Sequence, residues 1–165
     1  GFDQFGDGST FLGGFTRKFN DDASFTYMTT FGDLGARGDD AYSHSMVLDL
    51  QLTERLQTVF QSDVLRVNST GEDNFALSNY MFYTVSDRLT VGRRIEWWKG
   101  DNVTGYAPHG GTLPASGSHS QYEGTYGFNY RATSNLTVRP EYRYDWSPGL
   151  DYKESVFGID FVMTF

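Results

Sequence analysis

The feature of this sequence that most limits its fold is a two-residue alternation of apolar and other side chains, which recurs along nearly the whole chain. Its clearest instance is the C-terminal segment. There, the alternate residues are Phe157, Ile159, Phe161, Met163 and Phe165. Successive side chains of a strand point to opposite faces, and the three-to-four-residue spacing of an amphipathic helix is not sustained anywhere in the chain. The sequence therefore predicts an all-β protein.

The predicted strands are long. Nine segments alternate in this way, over residues 9–19, 23–33, 42–53, 55–67, 74–85, 88–99, 120–132, 136–146 and 155–165. Most span roughly 10–13 residues, whereas strands of globular proteins average about 5–6 residues and tilted membrane-spanning strands need about 9–11. Strand length therefore favours a membrane-spanning barrel over a soluble sandwich.

The aromatic content indicates which face of each strand points outward. Aromatic residues make up 17% of the chain, with 14 Phe and 11 Tyr. A small soluble barrel has little interior room for so many rings, whereas an outer belt facing lipid accommodates them, and Tyr and Trp suit its rims. We therefore expect the apolar faces to contact lipid and the charged faces to line a lumen.

Other classes of protein are excluded by composition. Hydrophobic residues are only 38% of the chain, and the longest unbroken apolar run covers residues 80–83. A spanning helix would need about 20 mostly apolar residues. The net charge of −8 argues against nucleic acid as a partner, and the absence of cysteine excludes disulfides and thiolate metal sites.

The links between strands alternate in length. Short links at 20–22, 53–54, 86–87 and 133–135 alternate with longer ones at 34–41, 68–73, 100–119 and 147–154. Short periplasmic turns opposite longer external loops are typical of up-and-down outer-membrane barrels. Such barrels normally have an even number of strands, with both ends periplasmic, whereas nine strands place residues 1–8 outside. We therefore expect residues 1–165 to be a single domain, the C-terminal part of a larger barrel, completed by upstream strands or other chains.

A set of charged residues is predicted to face the lumen. These residues are Arg94, Glu96, Glu123, Arg131, Arg139, Glu141, Arg143, Asp145 and Asp160. They could set ion selectivity, or they could form a structural ladder of ion pairs that fills a narrow interior. The ladder is the favoured interpretation, because balanced charges pair readily across strands. Two strands fit the pattern poorly: Arg93 falls on the apolar face of 88–99, and both faces of 74–85 carry aromatic residues.

Catalytic and metal-binding signals are weak. Asp3, Asp7 and Ser9 do not have the spacing of a calcium loop, and His44, His109 and His119 are scattered. The local nucleophile motif Gly-x-Ser-x-Gly is absent from the sequence. We expect no enzyme activity, no metal and no cofactor.

Three segments carry a family resemblance, at 91–101, 136–146 and 157–165. They contain an Arg-x-Glu-Trp motif, an Arg-Pro-Glu-x-Arg-x-Asp motif and a terminal aromatic strand, and they resemble the OmpL-like β-barrel porins of the bacterial outer membrane. The resemblance covers residues 88–165, and members of that family are longer. The end of the chain, with Phe165 and apolar residues at every second position before it, is similar to the signal read by the barrel-assembly machinery. The resemblance implies outer-membrane lipid and this machinery as partners.

The sequence thus predicts a porin-like channel for passive diffusion of small hydrophilic solutes across the bacterial outer membrane. The alternative is a barrel with a filled interior that anchors or scaffolds a surface assembly without conducting. A soluble ligand-binding barrel is disfavoured.

Overall fold

A computed structural model describes residues 10–34, 39–103 and 117–164 of the chain. It contains nine antiparallel strands: β1 Thr10–Asn20, β2 Ala23–Leu34, β3 Asp39–Thr53, β4 Leu56–Val67, β5 Glu72–Ser86, β6 Leu89–Asp101, β7 Ser118–Arg131, β8 Leu136–Ser147 and β9 Tyr152–Met163. Every predicted strand is present. Strands β3, β5, β7 and β9 begin earlier than predicted, because each continues into a polar stretch in which the apolar alternation that marks a strand is missing. No helix in the described part of the chain is long and apolar enough to cross a membrane.

The short links are tight turns that a side-chain oxygen stabilises. In each turn, a backbone N–H donates to a side chain two residues away, at distances between 2.9 and 3.4 Å. The accepting side chains are Asn20, Thr53, Ser86 and Thr133. Asn, Ser and Thr favour turns because they replace a backbone acceptor in this way. These turns define the short-turn end of the sheet, and the longer connections lie at its long-loop end.

The strands form one sheet in the order of the sequence, from β1 to β9. Each strand is hydrogen-bonded to its neighbours in the chain, which is the predicted up-and-down topology. Within the described residues, no ladder joins β1 to β9, so the sheet is not closed, as expected. Because the number of strands is odd, β1 and β9 run in the same direction. That further strands complete the barrel stays a prediction.

The two faces of the sheet differ sharply in chemistry. Residues directly opposite each other in an antiparallel ladder share a face. One face, which we call the inner face, carries Glu123 and Asp145, whose exposed fractions are 0% and 2%. The other, which we call the outer face, carries Phe157 and Phe161, with exposed fractions of 69% and 64%. Soluble proteins bury aromatic rings and expose carboxylates. The reverse arrangement is that of a membrane-spanning β-barrel.

A small apolar cluster lies at the long-loop end of the inner face. Its buried members are Trp98 of β6 and Val103 of the following connection, and Ala76 and Leu150 pack against them. Leu150 belongs to the short 3-10 helix Pro148–Leu150 between β8 and β9. Val103 and Leu150, which belong to these two connections, therefore pack against the inner wall through apolar contacts.

Candidate functional site

The carboxylate of Glu123 is completely enclosed on the inner face. Arg94 Nε donates to Glu123 Oε1 at 2.7 Å, and Arg94 Nη2 contacts the second oxygen. Thr125 Oγ1 donates to Oε1 at 2.6 Å. Arg143 Nε lies 3.4 Å from Glu123 Oε2 and donates to Asp145 Oδ2 at 2.8 Å. We call Arg94, Glu123, Arg143 and Asp145 the central cluster.

The strand register explains why these four residues meet. One ladder row crosses β6, β7 and β8 at Arg94, Thr125 and Arg143, and the next row crosses them at Glu96, Glu123 and Asp145. The arginines therefore occupy one row and the carboxylates the adjacent row, so each guanidinium reaches an acid diagonally. The Arg-x-Glu motif of β6 and the Arg-x-Asp motif of β8 produce this arrangement.

The neighbouring Glu96 lies directly opposite Glu123 in the ladder. Ser78 Oγ of β5 donates to Glu96 Oε2 at 2.8 Å. Ser78 itself is buried. The polar network therefore extends from β5 to β8, and Glu96 links Ser78 of β5 to the central cluster.

A second ion pair joins β8 to β9. Arg139 Nε and Nη2 donate to Asp160 Oδ1 and Oδ2 at 2.7 and 2.6 Å, the two-point geometry in which guanidinium binds carboxylate best. Both side chains are exposed, so the pair contributes little to stability. Glu141 lies on the same face of β8 between Arg139 and Arg143 and is also exposed. Arg131, at the end of β7 opposite Thr137, lies apart from both groups.

A cavity of about 560 Å³ lies on the inner face between the central cluster and the Arg139–Asp160 pair. One ladder row supplies three glycines there, Gly92, Gly127 and Gly158, beside Glu141. A Cβ atom on Gly158 would meet nothing within 4 Å, which shows how open this part of the wall is. Its polar lining includes Arg94, Thr125, Asn129, Arg139, Glu141 and Asp160, and its aromatic lining includes Tyr80 and Phe82.

Several inner-face groups were not singled out from the sequence. On β3 and β4, Asp49 Oδ1 accepts from Gln57 Nε2 and Asp63 Oδ2 accepts from Gln61 Nε2, each at 2.8 Å. The sequence does contain a signal that Asp63 lies on the polar face, because Gln61 and Asp63 are two residues apart on one face of β4.

Arg93 belongs to a polar group within the apolar surface of the outer face. Arg93 lies on this face, as the alternation required, and its Nη2 atom is 3.4 Å from Asn79 Oδ1 of β5. Asn79 Nδ2 in turn donates to Thr58 Oγ1 at 3.0 Å. Arg93, which interrupts the apolar alternation of β6 in the sequence, thus belongs to a small hydrogen-bonded group that spans β4 to β6.

The remaining candidate residues are dispersed. Phe157, Ile159, Phe161 and Met163 are exposed on the outer face of β9, and Phe165 lies outside the described residues. His44 lies on the outer face with its Nδ1 atom 2.6 Å from Tyr27 Oη, and His119 lies on the inner face. His109, Asp3, Asp7 and Ser9 fall outside the described ranges. No group of three or more His, Cys, Asp or Glu residues in residues 10–34, 39–103 and 117–164 is arranged to hold a metal ion.

An antiparallel sheet with an aromatic outer face and an ion-paired inner face defines the class of membrane β-barrel proteins to which porins belong. The chain belongs to the family described as "Putative beta-barrel porin-2, OmpL-like", which matches residues 1–165. No curated protein matches the sequence.

Two solved structures share the fold. The KdgM porin is 13% identical, with a TM-score of 0.58 over 96% of this chain and 76% of that chain. The NanC porin, solved in a rhombohedral crystal form, is 16% identical, with a TM-score of 0.63 over 96% of this chain and 79% of that chain. At these identities the likeness concerns the fold alone.

Proposed function

We propose that this protein forms a porin-like channel in the bacterial outer membrane, through which small hydrophilic solutes diffuse passively. The observation that carries the proposal is the cavity of about 560 Å³ on the inner face, whose lining includes the charged side chains of Arg94, Arg139, Glu141 and Asp160. The membership of a porin family and the porin-like fold of the two solved structures support it.

The mechanism follows from the groups that line the inner face. Hydroxyl, amide and ionised side chains exchange hydrogen bonds with a passing solute, so that the solute loses little of its hydration energy. Ion pairing holds the long side chains of Arg94, Arg139 and Arg143 against the wall, which keeps the space above the glycine row open. Size and lining charge then select the solutes, and no catalytic residue is required.

A second candidate is a non-conducting barrel that anchors or scaffolds a surface assembly. One observation favours it: the side chains of Gln121, Glu123 and Ser147 are almost completely enclosed on the inner face. A wall that is locally filled in this way is compatible with a solid interior as well as with a lined pore.

Conductance distinguishes the two candidates. The folded protein is purified in detergent and added to planar lipid bilayers, and liposome swelling with a small neutral sugar is measured in parallel. The channel predicts stepwise current increases and swelling, neither of which the heat-unfolded protein produces. A folded, membrane-inserted protein that gives neither current nor swelling would contradict the channel and favour the scaffold.

A further inference from the structure

We propose that the pore prefers cations to anions and that Asp63, assisted by Asp49, sets this preference. This inference rests on the proposed channel function and adds the charge class of the solutes that pass.

The positive charges of three arginines on the inner face are compensated locally. Arg94 is bound to Glu123, and Arg143 to both Glu123 and Asp145. Arg139 is bound at two points to Asp160. A cation with a carboxylate at hydrogen-bond distance contributes only a weak field at the distance of a passing ion. These three arginines therefore do not make the pore selective for anions.

Asp49 and Asp63 are hydrogen-bonded to neutral side chains. Their hydrogen-bond donors are the side-chain amides of Gln57 and Gln61, each at 2.8 Å. An amide orients a carboxylate and carries no net charge, so neither glutamine offsets the negative charge of the aspartate that it binds. Both side chains are partly exposed on that face.

Asp49 and Asp63 differ in the charged residues that share their ladder rows. The ladder row through Asp63 contains only uncharged residues on the neighbouring strands, namely Gly14, Met28, Ser45, Ala76, Trp98 and Gln121. The row through Asp49 includes Lys18, two strands away. Lys18 partly offsets Asp49, whereas no cation in its row offsets Asp63. Asp63 is therefore the stronger determinant.

The described inner face as a whole also carries more negative than positive side chains. Apart from the three paired arginines, its basic residues are Lys18 and Arg131, both near the short-turn end. Its acidic residues with described side chains are Asp49, Asp63, Glu72, Glu96, Glu123, Glu141, Asp145, Glu154 and Asp160. Acidic side chains thus outnumber basic ones on this face. Acidic linings raise the local concentration of cations and lower that of anions.

The test is the reversal potential of the full chain in planar bilayers with unequal KCl concentrations on the two sides. We expect K⁺ to be more permeant than Cl⁻, and we expect the preference to weaken as the salt concentration rises, because salt screens the lining charge. Asp63→Asn should lower the ratio of K⁺ to Cl⁻ permeability by about twofold to fourfold at low salt, the effect of a unit charge about 10 Å from the ion in water. Asp49→Asn should have a smaller effect, because Lys18 already offsets that charge.

The matched control is Asp73→Asn. Asp73 lies on the outer face, where Arg66 Nη1 is 3.5 Å from its Oδ2 atom, so the same charge is removed outside the pore. Asparagine keeps the shape of aspartate and still accepts from Gln61, and folding of each variant is checked by heat-modifiable migration. A conducting pore that is non-selective or prefers Cl⁻ overturns the inference and leaves the channel intact. An equal shift in Asp63→Asn and Asp73→Asn also overturns it. Absence of any current overturns the channel itself.

Discussion

Glu96 and Glu123 lie directly opposite each other across the β6–β7 ladder, and Glu123 is also directly opposite Asp145. Like charges in these positions repel each other. The row is stable because two arginines supply positive charge from the adjacent row, Arg94 to Glu123 and Arg143 to both Asp145 and Glu123. The two opposed glutamates should therefore differ in their effect on stability.

We expect Glu123→Gln to lower the free energy of unfolding by about 3 kcal/mol, because removing one partner of an enclosed ion pair leaves the guanidinium of Arg94 without its bound carboxylate. Glu96→Gln should change it by less than about 1 kcal/mol, because it removes a repulsion while Ser78 keeps an acceptor. Urea unfolding in detergent micelles, followed by tryptophan fluorescence, measures both. Equal losses in the two variants would contradict the assigned arrangement of charges.

A second prediction concerns Arg93 on the outer face. An arginine near the middle of the lipid-facing surface of a barrel costs about 2–4 kcal/mol, and its one hydrogen bond to Asn79 is long, at 3.4 Å. Arg93→Leu should therefore raise the free energy of unfolding by about 2 kcal/mol in lipid vesicles. Arg66→Leu is the control, because Arg66 lies on the same face near the long-loop end, paired with Asp73. A loss of stability in Arg93→Leu would show that the guanidinium has a binding partner in the membrane.

The glycine row gives a third prediction. Gly158→Trp places an indole in the open part of the inner wall without a steric clash, since a Cβ there meets nothing within 4 Å. We expect the single-channel conductance to fall by roughly half, because so large a ring fills much of the cavity. Ile159→Trp, one residue along on the outer face, should leave conductance unchanged. A similar conductance in both variants would place the current path elsewhere.

A fourth prediction concerns insertion by the barrel-assembly machinery. Replacing Phe161 with Asp, or deleting Phe165, should reduce the amount of folded protein in the outer membrane, because both changes interrupt the aromatic alternation at the end of the chain. Val162→Thr on the inner face of the same strand is the control. The measurement is the heat-modifiable band in isolated outer membranes. The prediction fails if that band is as strong in both altered proteins as in the control.

The sequence was sufficient to predict the number of strands, their order and their alternation, because each depends on neighbouring residues alone. It also predicted that Arg93 lies on the apolar face. The sequence does not reveal which carboxylate Arg94 binds, because that choice depends on a one-residue register between β6 and β7. The partners of Asp49 and the contact of Val103 and Leu150 with Trp98 likewise depend on distant parts of the chain meeting in space. Local alternation contains no information on such contacts.

The shared direction of β1 and β9 limits how copies of this protein can associate. Copies inserted the same way are related by rotation about the membrane normal, and such a rotation never reverses a strand. Edge contact between any two copies would therefore bring together strands that run alike and would form a parallel ladder, the slightly weaker kind. An antiparallel partner for either edge must be a strand of the opposite sense. Identically oriented copies that keep antiparallel pairing throughout therefore cannot associate by pairing β1 or β9 of one copy with β1 or β9 of another.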